Sequence, residues 1–497
     1  MRIRLSSSPF TGLQPGDALA LLCTRETLAN DPAFLELDRA HGGSISTTMS
    51  EEGFKAAWKK TSFHRPGTPG PGRLILVGLE EPPVPPRLML RQAAGLAVSR
   101  AQEVKAKSLT IALLGPLSSD LTRGAVTRLL VEGALLAAHQ QLSYKKREND
   151  VPTLDDLVIC WPGQDTLTLE DAAARGELVA KGTNSARDLV NEPAGTLTPD
   201  VFAGKVATLA GAALSVEIRD LRWLQDKGMG GIIGVGIGSA NEPRLVEVEY
   251  RPDGVSEGSI LLVGKGVTFD SGGLCLKPPD SMKTMKDDMA GAGAVAGLVS
   301  ILEALAPGRP VRMLLPLVEN MPDGRATKVG DVLHMYGGKT VEVVNTDAEG
   351  RLILADALAY GQERCPDATI DLATLTGASV VALGPLCAAV MGNRPEWVRD
   401  VLSAGDRAGE TMWQLPLIDA YKKQLETKTA DLKNAGDRWG GAITAGLFLR
   451  EFVADRPWVH IDIAGPSWTE KDEPAFPEGG SGYGVATLIE LLSPMGG

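Results

Sequence analysis

The stretch VEVVNTDAEGRLILADALAYG, residues Val341–Gly361, decides the fold of the larger part of this chain. Its apolar start is typical of a strand that ends at Val344, Asn345–Gly350 is rich in turn-forming residues, and a helical pattern begins near Arg351. Strand, turn and helix in this order indicate an α/β layer, in which the loops at the carboxyl ends of strands supply the ligand sites. Polar residues that directly follow apolar strands are therefore the expected site residues.

The same alternation of strand and helix patterns extends in both directions from this stretch. Apolar strand patterns occupy Ala18–Leu22, Leu74–Val77, Leu109–Leu113, Leu157–Cys160, Leu214–Ile218, Arg244–Tyr250, Ser259–Val263, Val311–Leu317 and Thr340–Val344. Longer helical patterns occupy Leu88–Gln102, Gly124–Gln141, Thr168–Ala186 and Pro199–Gly211. The pattern predicts two α/β domains, at residues 1–165 and 186–497, joined by a connecting helix at residues 166–185.

The composition is that of an ordinary globular chain, with 43% hydrophobic and 23% charged residues among 497. The net charge of -12 has the wrong sign for attraction to nucleic acid or to an anionic membrane. The 5 cysteines are scattered without a CxxC pair, and no apolar stretch follows the N-terminal arginines, so we expect a reducing, cytoplasmic location. The uncharged run Leu372–Asn393 contains hydroxyl residues and Pro385, which indicates buried strands joined by turns rather than a membrane span.

A second informative segment is ILLVGKGVTFDSGGLCLKPPDSMKTMKDDMA, residues Ile260–Ala290. It places Lys265, Asp270, Lys277 and Asp288 on glycine-rich backbone directly after an apolar strand. Glycine allows the backbone to approach a ligand closely. Acidic residues in such segments are often only turn residues or helix caps, which is the alternative interpretation of each carboxylate taken singly.

Two further carboxylates belong to the first stretch. Asp347 and Glu349 are separated by one small alanine, so both side chains can be aimed at one point. Together with Asp270 and Asp288 they make four carboxylates at strand ends, enough for two divalent ions. Bridging carboxylates can hold such ions about 3.5 to 4 Å apart, where they stabilise both sides of a displacement reaction.

These segments together resemble the leucine aminopeptidase (cytosol aminopeptidase) family of dizinc exopeptidases. The resemblance rests on VGKGVTFDSGG, on Lys277 with the KDDM segment, and on NTDAEGRLILADAL, which contains the signature octapeptide NTDAEGRL. It continues in order through NEP at Asn191–Pro193, ATLTGA at Ala373–Ala378, GAITAG at Gly441–Gly446 and HIDIAGPSW at His460–Trp468. It implies an α/β fold with a smaller N-terminal domain, assigned only by length and position, and a larger C-terminal catalytic domain whose mixed sheet is flanked by helices.

The resemblance also implies a set of metal ligands. Asp270 and Glu349 would be shared by two divalent ions, one of them held also by Lys265 and Asp288, the other by the carboxylate and main-chain carbonyl of Asp347. A lysine binds a metal only as a neutral amine, so the ion must displace a proton. Zinc or manganese is expected first, and magnesium and cobalt are compatible with the same ligands. Asp287 leaves an ambiguity of register with Asp288, although the spacing from Lys265 and the following Met289 favour Asp288.

Two cations complete the implied mechanism. A water or hydroxide bridging the ions would attack the scissile carbonyl, while the free amino terminus of the peptide coordinates one ion. Lys277 resembles the family lysine that stabilises the developing oxyanion, and Arg351 resembles the arginine that holds a bicarbonate ion as proton acceptor. The alternative for both residues is simple charge compensation of the nearby carboxylates.

A pocket for the first side chain of the substrate is implied by the same resemblance. Met285, Thr374, Gly377 and Ala464 would form an apolar cavity suited to leucine or methionine. Ordinary core packing is the alternative for Met285 and Ala464. The preference should be broad, because one methylene changes discrimination in an apolar pocket by only about 1 to 3 kcal/mol.

The family usually assembles as a hexamer, and a homo-hexamer with interior active sites would admit only short peptides that have a free N-terminus. Two other functions stay open: a different dinuclear-metal amide or ester hydrolase, and a hexameric DNA- or protein-binding role beside or instead of catalysis. The basic clusters Lys55–Lys60 and Lys145–Arg147 are short and offset by acids, which disfavours nucleic acid. His460 lies in the apolar strand WVHIDIAG, which favours a core histidine over a ligand.

Overall fold

The chain folds into two compact units, each of α/β type. The computed structural model describes residues 1–14, 17–66, 70–115, 121–140, 144, 153–255 and 258–494. One unit comprises Met1–Ala180 together with Lys471–Glu478, and the other comprises Lys181–Glu470 together with Gly479–Met495. The boundary after Ala180 falls inside a long helix, and the segment Lys471–Glu478 joins the first unit from near the other end of the chain.

The first unit is built on one sheet. Its strands are β1 Arg2–Ser6, β2 Ala18–Cys23, β3 Thr61–His64, β4 Arg73–Gly78, β5 Ser108–Leu113 and β6 Asp156–Cys160. In the order β1-β6-β5-β2-β4-β3, neighbouring strands are parallel except β3, which runs antiparallel to β4 at one edge. The helices are α1 Arg25–Asn30, α2 Pro32–Ala40, α3 Ser44–Glu51, α4 Pro86–Glu103, α5 Arg123–Ala138 and α6 Glu170–Asn191.

The sequence pattern locates the central strands of this unit well. All four predicted strands lie within β2, β4, β5 and β6, because each is a run of buried apolar residues. The predicted helix Gly124–Gln141 is observed as α5, which ends at Ala138, and Gln141 lies outside the described residues, as does the basic cluster Lys145–Arg147. The edge strands β1 and β3 were not predicted, since they are short and mostly polar.

The second unit contains the larger sheet. Its strands are β7 Leu214–Arg219, β8 Arg244–Tyr250, β9 Ile260–Gly264, β10 Gly266–Asp270, β11 Val311–Asn320, β12 Val332–His334, β13 Thr340–Glu342, β14 Ala368–Ala373, β15 Ala388–Gly392, β16 Met412–Gln414, β17 Leu432–Lys433, β18 Trp458–Asp462, β19 Trp468–Thr469 and β20 Gly479–Gly480. The main sheet has the order β16-β15-β18-β14-β9-β11-β8-β7, with β10 pairing alongside β11. It is mixed, because β9, β11, β14 and β18 are parallel whereas β7, β8 and β15 include antiparallel pairings.

Helices pack against this mixed sheet, with α11 Ala290–Leu305 and α12 Gly350–Gln362 both contacting β9. The fold class predicted from the sequence is therefore confirmed.

Two predictions about single segments can be compared with this unit. The predicted helix Pro199–Gly211 is observed two residues shorter. The uncharged run Leu372–Asn393 contains the end of β14, a short helix and β15, as its hydroxyl residues and proline indicated. No helix in the described part of the chain is long and apolar enough to cross a membrane. The helices of the unit are α7 Pro199–Leu209, α8 Leu221–Lys227, α9 Gly230–Gly236, α10 Pro279–Met282, α11 Ala290–Leu305, α12 Gly350–Gln362, α13 Gly377–Leu383, α14 Pro395–Ala408, α15 Gly441–Arg450 and α16 Val485–Leu492.

Parallel pairing brings the ends of several strands to one edge of the larger sheet. β9, β14 and β18 run parallel and end at Gly264, Ala373 and Asp462, and β10 ends at Asp270 beside the end of β11. Close packing at this edge depends on Gly291 at the start of α11, where a Cβ would lie 2.1 Å from the carbonyl oxygen of Leu372. The residues that directly follow these strands therefore meet in one place.

Candidate metal centre

Three carboxylates meet at this edge of the larger sheet. Asp270 is the last residue of β10, Asp347 lies in the turn after β13, and Glu349 directly precedes α12. Each offers an oxygen atom, and these three atoms all lie within 4.8 Å of one another. Asp270 and Glu349 are buried, whereas Asp347 is half-buried. The geometry is that of a potential metal site open to one side.

Lys265 connects this group to a fourth carboxylate. Its Nζ lies 2.7 Å from Asp288 Oδ1 and 3.0 Å from Glu349 Oε1, and it donates a hydrogen bond of 2.7 Å to the carbonyl oxygen of Thr374. The side chain is only 3% exposed, so these ion pairs are formed away from water. Of the two neighbouring aspartates, Asp288 forms an ion pair with Lys265, and the described residues show no such pair for Asp287.

Lys277 closes the cluster on its other side. Its Nζ lies 2.8 Å from Asp270 Oδ2 and 2.6 Å from Asp347 Oδ1. The side chain is 15% exposed, which makes it the more accessible of the two lysines. The five predicted metal ligands and Lys277 thus form two sets of ion pairs, one around Lys265 and one around Lys277. The two sets meet where oxygen atoms of Asp270, Asp347 and Glu349 lie within 4.8 Å of one another.

The pKa values of these groups reflect burial and mutual charge. Burial, with the negative charge of Glu349, raises the pKa of Asp270 to about 6. Burial likewise raises the pKa of Asp288 well above its usual range and raises the pKa of Asp347. For Glu349 burial acts upward too, yet the charge of Lys265 holds its pKa below the ordinary value. Burial opposes the charged form of Lys265 also, but the surrounding carboxylates raise its pKa. The site holds a surplus of negative charge that an added cation would relieve.

The residues present fit a divalent metal ion. Asp288 Oδ2 and Glu349 Oε2 are buried and have no hydrogen-bond partner among the described residues. Buried polar atoms are normally paired, so unpaired carboxylate oxygens that face a shared site indicate an absent partner. Oxygen ligands with one amine suit zinc, manganese, magnesium or cobalt. Lys265 must lose its proton to act as a ligand, so metal and proton compete for this nitrogen.

Two residues that were not predicted hold the ligand-bearing loops. Asn320, the last residue of β11, donates from Nδ2 to Asp270 Oδ1 at 2.8 Å and to the carbonyl oxygen of Thr346 at 3.0 Å. Thr346 in turn donates from Oγ1 to the carbonyl oxygen of Gly272 at 2.6 Å. Asn320 was missed because the predicted strand stopped at Leu317, although a polar residue at a strand end was the expected signal.

Asn434 supports the turn that carries Asp347 and Glu349. It is completely buried, and its Nδ2 donates to the carbonyl oxygens of Asn345 at 2.6 Å and of Ala348 at 3.3 Å. Its Oδ1 accepts from the backbone N–H of Val344 at 2.9 Å. Nothing in the local sequence pattern indicated this role, because its partners lie far away along the chain.

Arg351 lies in the first turn of α12, next to the ligands. The residue is 8% exposed, and its Nε has no hydrogen-bond partner within the described part of the chain. Burial lowers the pKa of the guanidinium to about 10, although the charges of Glu349 and Asp462 oppose this effect. A buried guanidinium with an unpaired donor is suited to a small anion.

The predicted pocket residues lie around the same edge. Thr374 donates from Oγ1 to Asp288 Oδ1 at 2.9 Å, and the backbone N–H of Ala464 donates to Asp462 Oδ1 at 3.2 Å. Asp462 also accepts from Thr376 Oγ1 at 2.7 Å, directly before α13, which begins with Gly377. Met285 starts the 3-10 helix Met285–Asp287, which leads into Asp288. Thr374 is thus hydrogen-bonded to Asp288, one of the predicted metal ligands. Ala464 is linked to Thr376, directly before α13, through Asp462.

His460 belongs to a buried polar group on the same sheet. The residue is fully buried, with Nδ1 2.5 Å from Asp371 Oδ1. The other oxygen of Asp371 accepts from the indole N–H of Trp458 at 2.7 Å. His460 is therefore a core histidine with a carboxylate partner, and it lies outside the group of carboxylates that surrounds Lys265.

Comparison with known protein families bears directly on this centre. The profile of the catalytic domain of the cytosol aminopeptidase family matches residues 184–489, and the profile of the N-terminal domain of that family matches residues 21–148. The chain belongs to the cytosol aminopeptidase family. Membership makes it an aminopeptidase, a hydrolase of peptide bonds that depends on metal ions.

Full-length relatives support the same assignment. A probable cytosol aminopeptidase of a Geobacter species is 41% identical over 99% of this chain and 99% of its own length. One from Solibacter usitatus is 44% identical over 91% of this chain and 93% of its own length. Among solved structures, a mutant of tomato leucine aminopeptidase superposes with a TM-score of 0.90 at 32% identity, covering 99% of this chain and 96% of that one.

A second similar solved structure is a manganese complex. The bottromycin maturation enzyme BotP in complex with Mn superposes with a TM-score of 0.84 at 36% identity. The match covers 96% of this chain and 99% of BotP. The cytosol aminopeptidase fold of this chain is therefore shared along nearly its whole length by a relative that binds manganese.

Proposed function

We propose that this cytosol aminopeptidase releases N-terminal apolar residues, such as leucine or methionine, from short peptides. The observation that carries the proposal is the cluster of Lys265, Lys277 and four carboxylates, largely buried, in which Asp288 and Glu349 each have one oxygen without a hydrogen-bond partner among the described residues. A free amino terminus is a neutral or cationic nitrogen that can enter such an acidic site, whereas an internal peptide segment has no equivalent group.

Two divalent ions would be held by the cluster. Asp270 and Glu349 would bridge them, with Lys265 and Asp288 completing one ligand set and Asp347 completing the other. Zinc or manganese is proposed as the native ion, supported by the oxygen-rich donor set and by the manganese complex of BotP, and magnesium and cobalt fit the same donors. When bound, the pair would supply a nucleophilic hydroxide at neutral pH and polarise the scissile carbonyl.

The chain's own cations have separate roles in the proposed reaction. Lys277 is partly accessible and already faces Asp270 and Asp347, so it can donate to the oxygen that becomes negative in the transition state. Arg351 would hold a bicarbonate ion through its Nε, which has no hydrogen-bond partner among the described residues, and the bound ion would supply a proton acceptor there. Both roles use charge that is fixed before the substrate arrives.

The first side chain of the substrate would occupy an apolar pocket. Its proposed lining consists of Met285, Thr374, Gly377 and Ala464. The hydrogen bond from Thr374 to Asp288 supports this lining, as do the hydrogen bonds that Asp462 accepts from Thr376 and from the backbone of Ala464. A Cβ built at Gly377 would meet no described atom within 4 Å, so the space beside this glycine is free for a substrate side chain. We therefore expect leucine and methionine to be accepted in preference to charged residues.

The assembly and the domain roles are also proposals. We propose a homo-hexamer in the cytoplasm, supported by the family assignment and by the naming of the curated relatives. Residues 1–165 would serve assembly or regulation, residues 166–185 would connect, and residues 186–497 would carry catalysis. The match of a separate family profile to residues 21–148 supports an independent N-terminal domain.

The decisive experiment is hydrolysis of leucine p-nitroanilide by the purified chain. Activity should disappear on chelation, return with zinc, manganese or cobalt, and be absent in Asp347→Ala, while the exposed control Asp253→Ala keeps full activity. Two bound metals without turnover would instead favour another dinuclear amide or ester hydrolase, to be tested on a substrate panel. A purified chain that binds no metal would exclude the mechanism.

A further inference from the structure

An exposed tryptophan lies in the loop that connects β17 with α15. Trp439 is 73% exposed, and the ring contact that the structure shows for it is with the guanidinium of its neighbour Arg438, 5.2 Å from the ring centroid. Large aromatic side chains are costly to leave in water and are enriched where proteins bind their ligands. We define Asp437–Gly440, the exposed part of this segment, as the Trp439 loop.

The loop is anchored at one end to the candidate metal centre and at the other end to α13. Before it, Asn434 is hydrogen-bonded to the turn that carries Asp347 and Glu349. After it, α15 begins at Gly441, where a Cβ would lie 3.2 Å from Ala378 Cβ in the first turn of α13. The loop therefore runs from the turn that carries Asp347 and Glu349 to α13, which begins with Gly377 of the proposed pocket.

Contacts with the preceding segment restrain both sides of the loop. The backbone N–H of Asp437 donates to Gln424 Oε1 at 2.9 Å, and Gly440 adopts a φ of 69°, which favours glycine. A Cβ at Gly440 would lie 3.1 Å from the ring of Tyr421. Trp439 is two residues from Gly441, so its Cα is at most roughly 7 Å from that anchor. The backbone on both sides of Trp439 is thus anchored, and the anchor at Gly441 lies beside the start of α13.

We propose that Trp439 is a specificity-determining residue that contacts the substrate side chain following the scissile bond, and that it favours a large apolar or aromatic residue there. The inference rests on the proposed function, because it takes the buried pocket to hold the first residue. Of its proposed lining, Thr374 is 8% exposed whereas Gly377 at the start of α13 is exposed, so we expect the rest of the peptide to extend past the start of α13. Trp439 is the large apolar side chain that the anchored loop offers on this outer side.

The test compares two substrate series with the wild-type chain, Trp439→Ala and Trp439→Phe. Leucine, methionine and valine amides vary the first residue and have no second side chain. The dipeptides Leu-Gly, Leu-Ala, Leu-Leu and Leu-Phe vary only the second residue. Trp413→Ala is the matched control, because Trp413 is also exposed, at 65%, but lies in β16 at the edge of the sheet.

The expected result is confined to the dipeptides. Trp439→Ala should lower kcat/KM for Leu-Phe by roughly five- to tenfold, mainly through KM, and leave Leu-Gly and the three amides within about twofold. Trp439→Phe should restore most of the preference, and Trp413→Ala should behave as wild type. A change in the amide series, or an unchanged preference for Leu-Phe, would overturn the inference. Failure of the wild-type chain to hydrolyse any leucine amide would instead refute the proposed function.

Discussion

Gly350 packs directly against the side chain of Lys265. A Cβ at Gly350 would lie 2.4 Å from Lys265 Cε and 2.7 Å from its Nζ. Real side chains do not approach so closely, so only glycine allows the amine to reach Asp288 and Glu349 from this position. The glycine of the NTDAEGRL motif is thus explained by space for a lysine rather than by an unusual backbone angle.

The substitution Gly350→Ala should therefore displace Lys265 without unfolding the chain, because the atoms in conflict belong to a flexible side chain. We expect a large loss of aminopeptidase activity and weaker metal binding, measured by turnover and by metal titration. Gly308→Ala is the control, since a Cβ at Gly308 meets nothing within 4 Å. Full activity in Gly350→Ala would show that the position of Lys265 is unimportant.

Removal of Lys277 should affect chemistry more than structure. Lys277→Ala is expected to lower kcat by roughly 100- to 1000-fold, the range measured when a single oxyanion donor is lost. Metal content should stay unchanged, because Lys277 is not among the proposed ligands. Lys283→Ala provides a control at an exposed lysine, 72% accessible, that pairs only with Asp280 among the described residues. Equal kcat in both variants would contradict the oxyanion role.

Metal removal should destabilise the catalytic unit. A ligand that binds only the folded state adds about 2.7 kcal/mol to the free energy of unfolding at 100 times its dissociation constant. We expect chelation to lower the melting temperature and added manganese or zinc to restore it in a concentration-dependent way. Asp288→Asn should show a smaller response to metal than wild type, and an identical response would remove Asp288 from the ligand set.

Asn434 should matter for both stability and activity. Asn434→Ala removes the partner of main-chain groups in the turn that carries Asp347 and Glu349, among them the N–H of Val344 and the carbonyl groups of Asn345 and Ala348. We expect this to lower the free energy of unfolding by about 2 to 4 kcal/mol. Urea denaturation measures this cost, and turnover should fall as the turn loosens. The exposed Asn30→Ala should change neither quantity. Normal activity in a destabilised Asn434→Ala would limit the role of this residue to folding.

The pair of His460 and Asp371 predicts a pH dependence of stability. Burial alone would lower the pKa of His460, but the charge of Asp371 raises it above the ordinary value. The folded state thus holds the proton more tightly than the unfolded state does. The resulting stabilisation is complete below the ordinary histidine pKa and is lost as pH rises through the raised value.

Melting temperatures of wild type and His460→Gln between pH 5 and 9 measure this effect. The advantage of wild type over the variant should be largest at the acid end and should shrink as the pH increases. A difference that grows with pH would mean that His460 is neutral in the folded chain.

The sequence predicts the metal centre better than it predicts the support of that centre. Local pattern and family resemblance both indicate the same residues, because each of these follows an apolar strand within a short motif: Lys265, Asp270, Asp347 and Glu349. Asn434 contacts Asn345 across 89 residues of chain, and pairing at that distance leaves no trace in periodicity.

Edge strands such as β3 were missed for a related reason. In β3 the polar residues Ser62 and His64 are buried and the apolar Phe63 is exposed, so tertiary pairing rather than an apolar pattern makes this segment a strand. The central strands were found because burial on both faces demands an uninterrupted apolar run.

The segment Lys471–Glu478 has a consequence for synthesis of the chain on the ribosome. Ala475 is buried with Leu136 and Ala180, a Cβ at Gly95 would lie 2.5 Å from its backbone nitrogen, and Glu473 pairs with Lys59. Domains generally begin to fold from the N-terminal side while translation continues. The first unit nevertheless lacks these contacts until Lys471–Glu478 has been translated, so it cannot be completed before residues Lys181–Glu470 of the second unit have been made.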